Sequence, residues 1–322
     1  MSAQSVSIAA MFGWVVDSFK LLRKNFRGLM SASFITLVLG ILMCIPMWSV
    51  MAFNMMNAMK NGGIPTGNAM PMAGNVALFY SVYAITIVIS LFLFPPILVG
   101  WFRLCQNIDQ NNAASGFDIL KPYKDKQLWL RGIGFALLAM VIYAAVFGLF
   151  ALAFSGVISD FMKLAAAQQA AAMAGAAPAP PSFPIGFFVA YFGFIGVALF
   201  LQFIYMTGFA EVSLRATSVV GSMKLAANGV LKNALKIIVF LFCLFVASMI
   251  FFMIVGLILV MIVAALSFIH QVLGIIVGGI FYIAFLLCIY PLMFSGQYFV
   301  WKSILGGDSP ALANAYDSTL SV

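Results

Sequence analysis

Acidic residues and histidine are scarce: eight Asp and Glu and one histidine in 322 residues, against sixteen Lys and Arg. A chain that is 7% charged and 65% hydrophobic has too few charges to coat a water-facing globule, so its environment is lipid. The surplus of +8 reads as loop charge that sets orientation in a membrane, and nucleic-acid binding is set aside. His270 has no second histidine to converge with, and no Walker, Rossmann, HExxH or GxSxG pattern occurs, so a non-enzymatic protein without a cofactor is expected. Cys44, Cys243 and Cys288 fall inside apolar runs, and Cys105 sits at the end of one. No two have CxxC or metal-ligand spacing, so they read as small hydrophobes in lipid.

What the chain has in abundance is apolar length. A helix needs about 20 apolar residues to cross a bilayer, and tracts near 28–53, 76–102, 132–159, 183–210 and 237–301 meet that length. The last divides at 267–271, where Ser, His and Gln interrupt it, giving six spans. Lys20, Arg23, Lys24 and Arg27 precede the first span; Arg103, Lys121, Lys124, Lys126 and Arg131 lie between the second and third. Arg215, Lys224, Lys232 and Lys236 lie between the fourth and fifth, and Lys302 follows the sixth, while the other side holds only Lys60 and Lys163. Cations concentrate on the cytoplasmic side, so both termini are expected there. The first apolar run is too long for a secretory signal and lacks a cleavage site after it, so it reads as a retained helix.

Ahead of the first span, Ile8, Phe12, Val15, Phe19, Leu22 and Phe26 recur every three or four residues opposite Asp17, Lys20, Lys24 and Arg27, the pattern of an interfacial amphipathic helix. Val212, Ala216, Val219, Met223, Ala226 and Val230 repeat that phase 204 positions later, and Pro95 and Pro291 each precede a glycine, Gly100 and Gly296, by five. Phe117, Leu120 and Tyr123 offer a weaker middle copy, and Gly208-Phe209 echoes Gly100-Trp101. The expectation is an all-α polytopic membrane protein forming a single integral domain over 1–322. It has six transmembrane helices in three pseudo-repeated hairpins, each preceded by a cytoplasmic interfacial amphipathic helix, with units near 8–106, 115–210 and 211–302 and a tail over 303–322.

Gly13-Trp14, the run Phe19-Lys20-Leu21-Leu22-Arg23-Lys24-Asn25, Pro95-Pro96 through Gly100, and Ser218 to Asn233 resemble a broad group of bacterial six-helix inner-membrane proteins. That group includes the YciC-like proteins and the membrane domain attached to some glycerophosphodiester phosphodiesterases. The resemblance implies a Gram-negative inner membrane and a part in envelope or phospholipid homeostasis, and no catalytic residue comes with it.

Candidate residues follow from this frame. Lys20, Arg23, Lys24, Arg27, Lys224 and Lys232 are expected to contact anionic phospholipid headgroups or a partner membrane protein. No ionisable residue stands at mid-depth in the spans, which argues against proton-coupled carriers and pumps. An alternative transporter or channel for a neutral or lipid-like substrate places Gln202 and Gln297 on a path shaped by Pro95, Pro96, Gly100, Pro291 and Gly296. Packing between helices is the commoner role of such amides, and shaping a bundle the commoner role of such prolines. Met43, Met47, Met51, Met55 and Met59 recur every fourth residue, with Met56, Met70 and Met72 near them; thioethers suit copper(I), although methionine also serves as flexible apolar filler. The stretch 165–184, Ala-rich and then Pro-rich, reads as a tether.

Overall fold

The computed structural model describes residues 4–60, 76–173, 185–215 and 217–306, and among these the chain is helical with no strand. In order, the elements are α1 (Ile8–Lys24), α2 (Phe26–Lys60), α3 (Val76–Asp109), a 3-10 helix (Gly116–Lys124), α4 (Lys126–Ala153), α5 (Ser155–Met173), α6 (Ile185–Arg215), α7 (Val219–Lys232), α8 (Ala234–Ile269) and α9 (Gln271–Leu305). Six of these, α2, α3, α4, α6, α8 and α9, are long and apolar enough to cross a membrane. The final apolar tract divides where its polar residues predicted: α8 ends at Ile269, and His270 caps α9 by accepting the Val272 N–H at Nδ1. The third tract differs. A turn at Phe154 splits it, and the span begins at Lys126 because the cations at its start are already helical.

The described residues fall into two compact units, one drawn from Met1–Gly40, Phe94–Phe135 and Ile204–Val322, the other from Ile41–Leu93 and Ala136–Phe203. In the second unit, aromatic rings tie α6 to α4 and α5: Phe194 lies 4.9 Å from Phe147, and Phe187 stacks on Phe161 at 5.1 Å. The other faces of these helices present large apolar side chains outward, among them Leu149, Leu152, Val189 and Phe192, the surface a bilayer covers.

In the first unit a recurring local device starts three of the long helices. Asn25, Asp125 and Asn233 each precede a span, and the carbonyl of each accepts the N–H four residues on, from Leu29, Trp129 and Ile237. The Asn25 side chain also accepts the Gly28 N–H, and Asp125 accepts those of Gln127 and Leu128, so short polar side chains satisfy orphan helix-start donors. The shorter elements α1, the 3-10 helix and α7 each begin at a serine, Ser7, Ser115 and Ser218, whose hydroxyl accepts a first-turn N–H. At Ser115, Asp118 completes a capping box.

Each of these shorter elements seats on the pair of long helices before it, and α1 seats on the last pair. The 3-10 helix meets α2 and α3: a methyl on Gly116 would overlap Ser31 and Ala32, and one on Gly100 would overlap the Ile119 carbonyl. A methyl on Gly208 of α6 would overlap the Phe135 ring and lie only 3.2 Å from the Ala226 Cβ of α7, and Gly134 of α4 faces Val219. On α1, Trp14 meets Phe240 of α8 edge-to-face at 5.4 Å and Ser18 meets Gly296 of α9. The chain ahead of α1 is pinned there too. Gln4 N–H donates to the Ile304 carbonyl, and buried Asn233 accepts the Val6 N–H while donating to the Gln4 and Gly229 carbonyls.

Helix α1 buries Met11, Trp14, Ser18 and Leu21 against this support. Of the predicted stripe, Ile8, Phe12, Phe19 and Phe26 stay exposed beside it while Val15 and Leu22 are partly covered, and Phe12 also meets Phe240 of α8 at 5.6 Å, so the stripe borders the buried face and does not coincide with it. The middle element is a nine-residue 3-10 helix, because Pro122 removes an N–H and too few residues separate Ser115 from Asp125 for a longer α-helix. Gly100→Val is expected to destabilise the protein by about 1–3 kcal/mol through overpacking, whereas Gly256→Val, at a position with open space around it, has a small effect. Thermal unfolding of the two variants in one detergent checks the difference.

Candidate functional site

The buried polar chemistry of the first unit gathers where α3, α6 and α9 end. Glu211, 1% exposed, accepts the Trp301 indole N–H at 2.7 Å and lies 3.5 Å from the Arg215 guanidinium. Arg215 packs over the Trp301 ring at 5.2 Å and donates to the Leu305 and Gly306 carbonyls, the open end of α9. Gly306 supplies the left-handed turn there, at φ 69°, a conformation glycine adopts without strain. A carboxylate on α6 thus holds a cation that in turn satisfies the carbonyls of α9.

A second ionic group joins α3 to α9. Asp109 accepts the Tyr298 hydroxyl at 2.9 Å and the Lys302 ammonium at 2.8 Å, while its backbone carbonyl accepts Lys24 of α1 at 2.7 Å. Arg103 of α3 donates to the Ser213 carbonyl of α6 at 3.2 Å. Aromatic packing fills the space between: Trp101 stacks on Phe294 at 4.7 Å and donates its indole N–H to Thr36, and Phe102 meets Phe209. The Tyr123 phenol, half-buried on the 3-10 helix, is pushed up to about 12 by burial and stays neutral. Among the described residues no group of three or more His, Cys, Asp and Glu is placed to hold a metal ion.

The residues expected to meet headgroups are all exposed, but they are not equivalent. Lys20 pairs with Asp17 at 2.8 Å in a solvated contact worth at most about 1 kcal/mol. Lys24 caps the end of α3 through Asp109, while Arg23, Arg27, Lys224 and Lys232 lie exposed on α1, α2 and α7. The path residues separate. Gln202 is exposed in the second unit, where it accepts the Tyr143 hydroxyl at 3.3 Å; Gln297 belongs to the first and has a buried amide oxygen with no donor. Helices α3 and α9 run unbroken through Pro95, Pro96 and Pro291, all buried, and Ser295 bonds the Pro291 carbonyl. Met51 and Met55 are exposed one turn apart on α2; the Met59 side chain, Met70 and Met72, residues 174–184 of the tether and residues 307–322 of the tail lie outside the described residues.

Sequence reasoning missed Glu211, Asp109, Trp301 and Asn233 as a set. The basic residues around them, Lys24, Arg103, Arg215 and Lys302, were singled out, but as loop charge or headgroup contacts. The available signal was Glu211-x-x-x-Arg215, an opposite-charge pair at helical spacing inside otherwise apolar surroundings. No protein-family model, curated protein or solved structure matches the chain. Replacing Glu211 by Leu leaves Arg215 buried without its partner and is expected to cost about 3–5 kcal/mol, while Glu211→Leu with Arg215→Met recovers much of that loss. Thermal denaturation of the two single variants and the double variant measures the coupling.

Proposed function

We propose that the chain is a non-enzymatic integral protein of a bacterial inner membrane that holds anionic phospholipid headgroups at a ring of cytoplasmic interfacial helices. The observation that carries this reading is the exposed surface of α1 and of the start of α2, where Phe12, Phe19 and Phe26 are 44%, 51% and 55% exposed beside Lys20, Arg23 and Arg27. Rings that dip below the headgroups and cations that reach lipid phosphates are the two halves of interfacial binding. Lys24, Lys224 and Lys232 extend the same surface, and a partner membrane protein with acidic edges is the other occupant it suits. A part in envelope or phospholipid homeostasis accords with the resemblance to YciC-like proteins.

In this reading the molecule is three pseudo-repeated hairpins, each entered by its own short helix: α1 with α2–α3, the 3-10 helix with α4–α6, and α7 with α8–α9. The serine caps, the Asn, Asp and Asn entries and the shared seating on the preceding pair support it. An offset of 208 in place of 204 supports the reading further, since it pairs buried Trp14 with Ser222, Ser18 with Ala226, Leu21 with Gly229 and Leu29 with Ile237, and half-buried Asn25 with buried Asn233. The transport alternative has less behind it, because Gln202 is engaged by Tyr143 and large buried aromatics occupy the space among α3, α6 and α9.

Each cation near an anionic surface contributes about 1 kcal/mol, so Lys20, Arg23, Lys24 and Arg27 all changed to Gln should weaken phosphatidylglycerol retention by at least about tenfold. Native mass spectrometry of protein released in mild detergent reads this, and unchanged retention removes the headgroup role. In a cysteine-free background, Lys224→Cys should resist a membrane-impermeant thiol reagent in intact spheroplasts while Lys163→Cys reacts; the reverse pattern inverts the orientation.

A further inference from the structure

The α8–α9 hairpin is longer than a bilayer requires. Helix α8 has 36 residues and α9 has 35, and the chain carries no charge between Lys236, the third residue of α8, and Lys302, the fourth from the end of α9. At about 1.5 Å per residue each uncharged stretch rises roughly 45–49 Å, against about 30 Å of hydrocarbon. Letting the two lysines snorkel by a turn still leaves about 40–44 Å. An upright hairpin would therefore push more than about 10 Å of helix past the far headgroups. The side chains there are unsuited to water: Met261, Val272, Leu273, Ile275 and Ile276 are all exposed. Polar residues come only at the tip, at Ser267, His270 and Gln271, so the sides belong in acyl chains and the tip at the far boundary. A stretch of about 42 Å meets both demands by leaning roughly 45°, beyond the range of about 0–40° that membrane helices show.

The hairpin is held as one body along its length. Phe252 meets Phe285 edge-to-face at 5.6 Å, Val263 faces Gly278, and a methyl on Gly274 would overlap Ser267. Its roots carry α1. Phe240 of α8 receives the rings of Phe12 and Trp14, Gly296 of α9 lies against Ser18, Lys236 donates to the Ser5 hydroxyl at 2.7 Å, and the Gln4 N–H donates to the Ile304 carbonyl. A change in the lean of the hairpin therefore moves the seat of α1, and with it the exposed ring of Phe19.

We propose that α8–α9 is a lever that reads hydrocarbon thickness: acyl chains cover it to the tip, it leans further as the bilayer thins, and α1 is carried with it. The lever rests on helix lengths and stands whether or not the cations of α1 hold headgroups. The test uses the full chain, with Cys44, Cys105, Cys243 and Cys288 changed to alanine, in vesicles of dimyristoleoyl, dioleoyl or dierucoyl phosphatidylcholine. Bimane on Ile275→Cys should be quenched by brominated acyl chains, and the free cysteine should resist a membrane-impermeant maleimide, in the thinnest and the thickest vesicles alike. Bimane on Phe19→Cys should shift its quenching between the two. The thermal midpoint should be highest in dierucoyl vesicles, and deleting residues 254–260 with 280–286, two turns or about 10 Å from each helix with its faces kept in register, should move that maximum to shorter chains. Maleimide reaction of Ile275→Cys in thin vesicles means an upright hairpin and overturns the lever. Disulfide-linked pairs of Ile275→Cys chains without lipid quenching put a second copy on the hairpin and overturn it too, as does a maximum that the deletion leaves in place. A Phe19→Cys signal that stays fixed overturns the coupling to α1. The cysteine readouts keep the hairpin at full length, so they decide the matter even where the shortened chain fails to fold. Phosphatidylglycerol retention is read separately, and its failure leaves the lever standing.

Discussion

The contact on which the first unit depends is the seating of each short helix against the small residues of the long pair before it. In lipid, apolar surface gains nothing by leaving solvent for protein, because acyl chains are as apolar as leucine. Association must come from close packing and from hydrogen bonds, and both need backbones to approach. Gly100, Gly116 and Gly208 permit that approach, and the serine, asparagine and aspartate caps satisfy the helix ends it brings together. Where no such contact exists the helix stays bare. None of the most apolar eighteen residues of α8 is buried, so that helix relies on its neighbour α9 and on lipid.

Polar groups occupy the places the seating leaves dry. Glu211 is tolerated near the end of a membrane helix because Trp301 and Arg215 meet it and Arg215 completes the end of α9. The pair adds little net stability, since desolvating both charges offsets most of their attraction, but it penalises any arrangement that parts them. Asp109 does the same between α3 and α9 through Tyr298 and Lys302. These two carboxylates fix how the three helix ends meet, which apolar packing alone does weakly, because leucine and phenylalanine surfaces slide past one another at small cost.

Membrane spans are legible because one requirement, twenty apolar residues, is strict and local. All six helices could be read from that rule, and the division at His270 from three polar residues in an apolar run. The stripe predicted on α1 missed its buried face, Met11, Trp14, Ser18 and Leu21, because the helix has two apolar faces and periodicity reports their sum. Glu211, Asp109 and Asn233 were not legible as sites. Their meaning depends on partners 90, 189 and 227 positions away, and a single sequence carries no record of such distances. The glycine at position 100 was visible as part of a motif, but its reason, the Ile119 carbonyl against it, was not.

The cycle of contacts closes through the chain's most distant parts. Helix α1 packs on α8 and α9, and the residues before it bond Asn233 and Ile304, so the support for the first helix is synthesised last. Until α8 and α9 are in place, Met11, Trp14 and Leu21 have nothing to bury against, while Phe12 and Phe19 present apolar surface on the adjacent face. A helix with two apolar stripes and a row of cations has one stable location without partners, the membrane surface, where acyl chains take the stripes and phosphates take the cations. In the proposed headgroup reading the cationic row serves twice: it keeps α1 beside the membrane while the rest of the chain is made, and it remains outward once the buried stripe has docked.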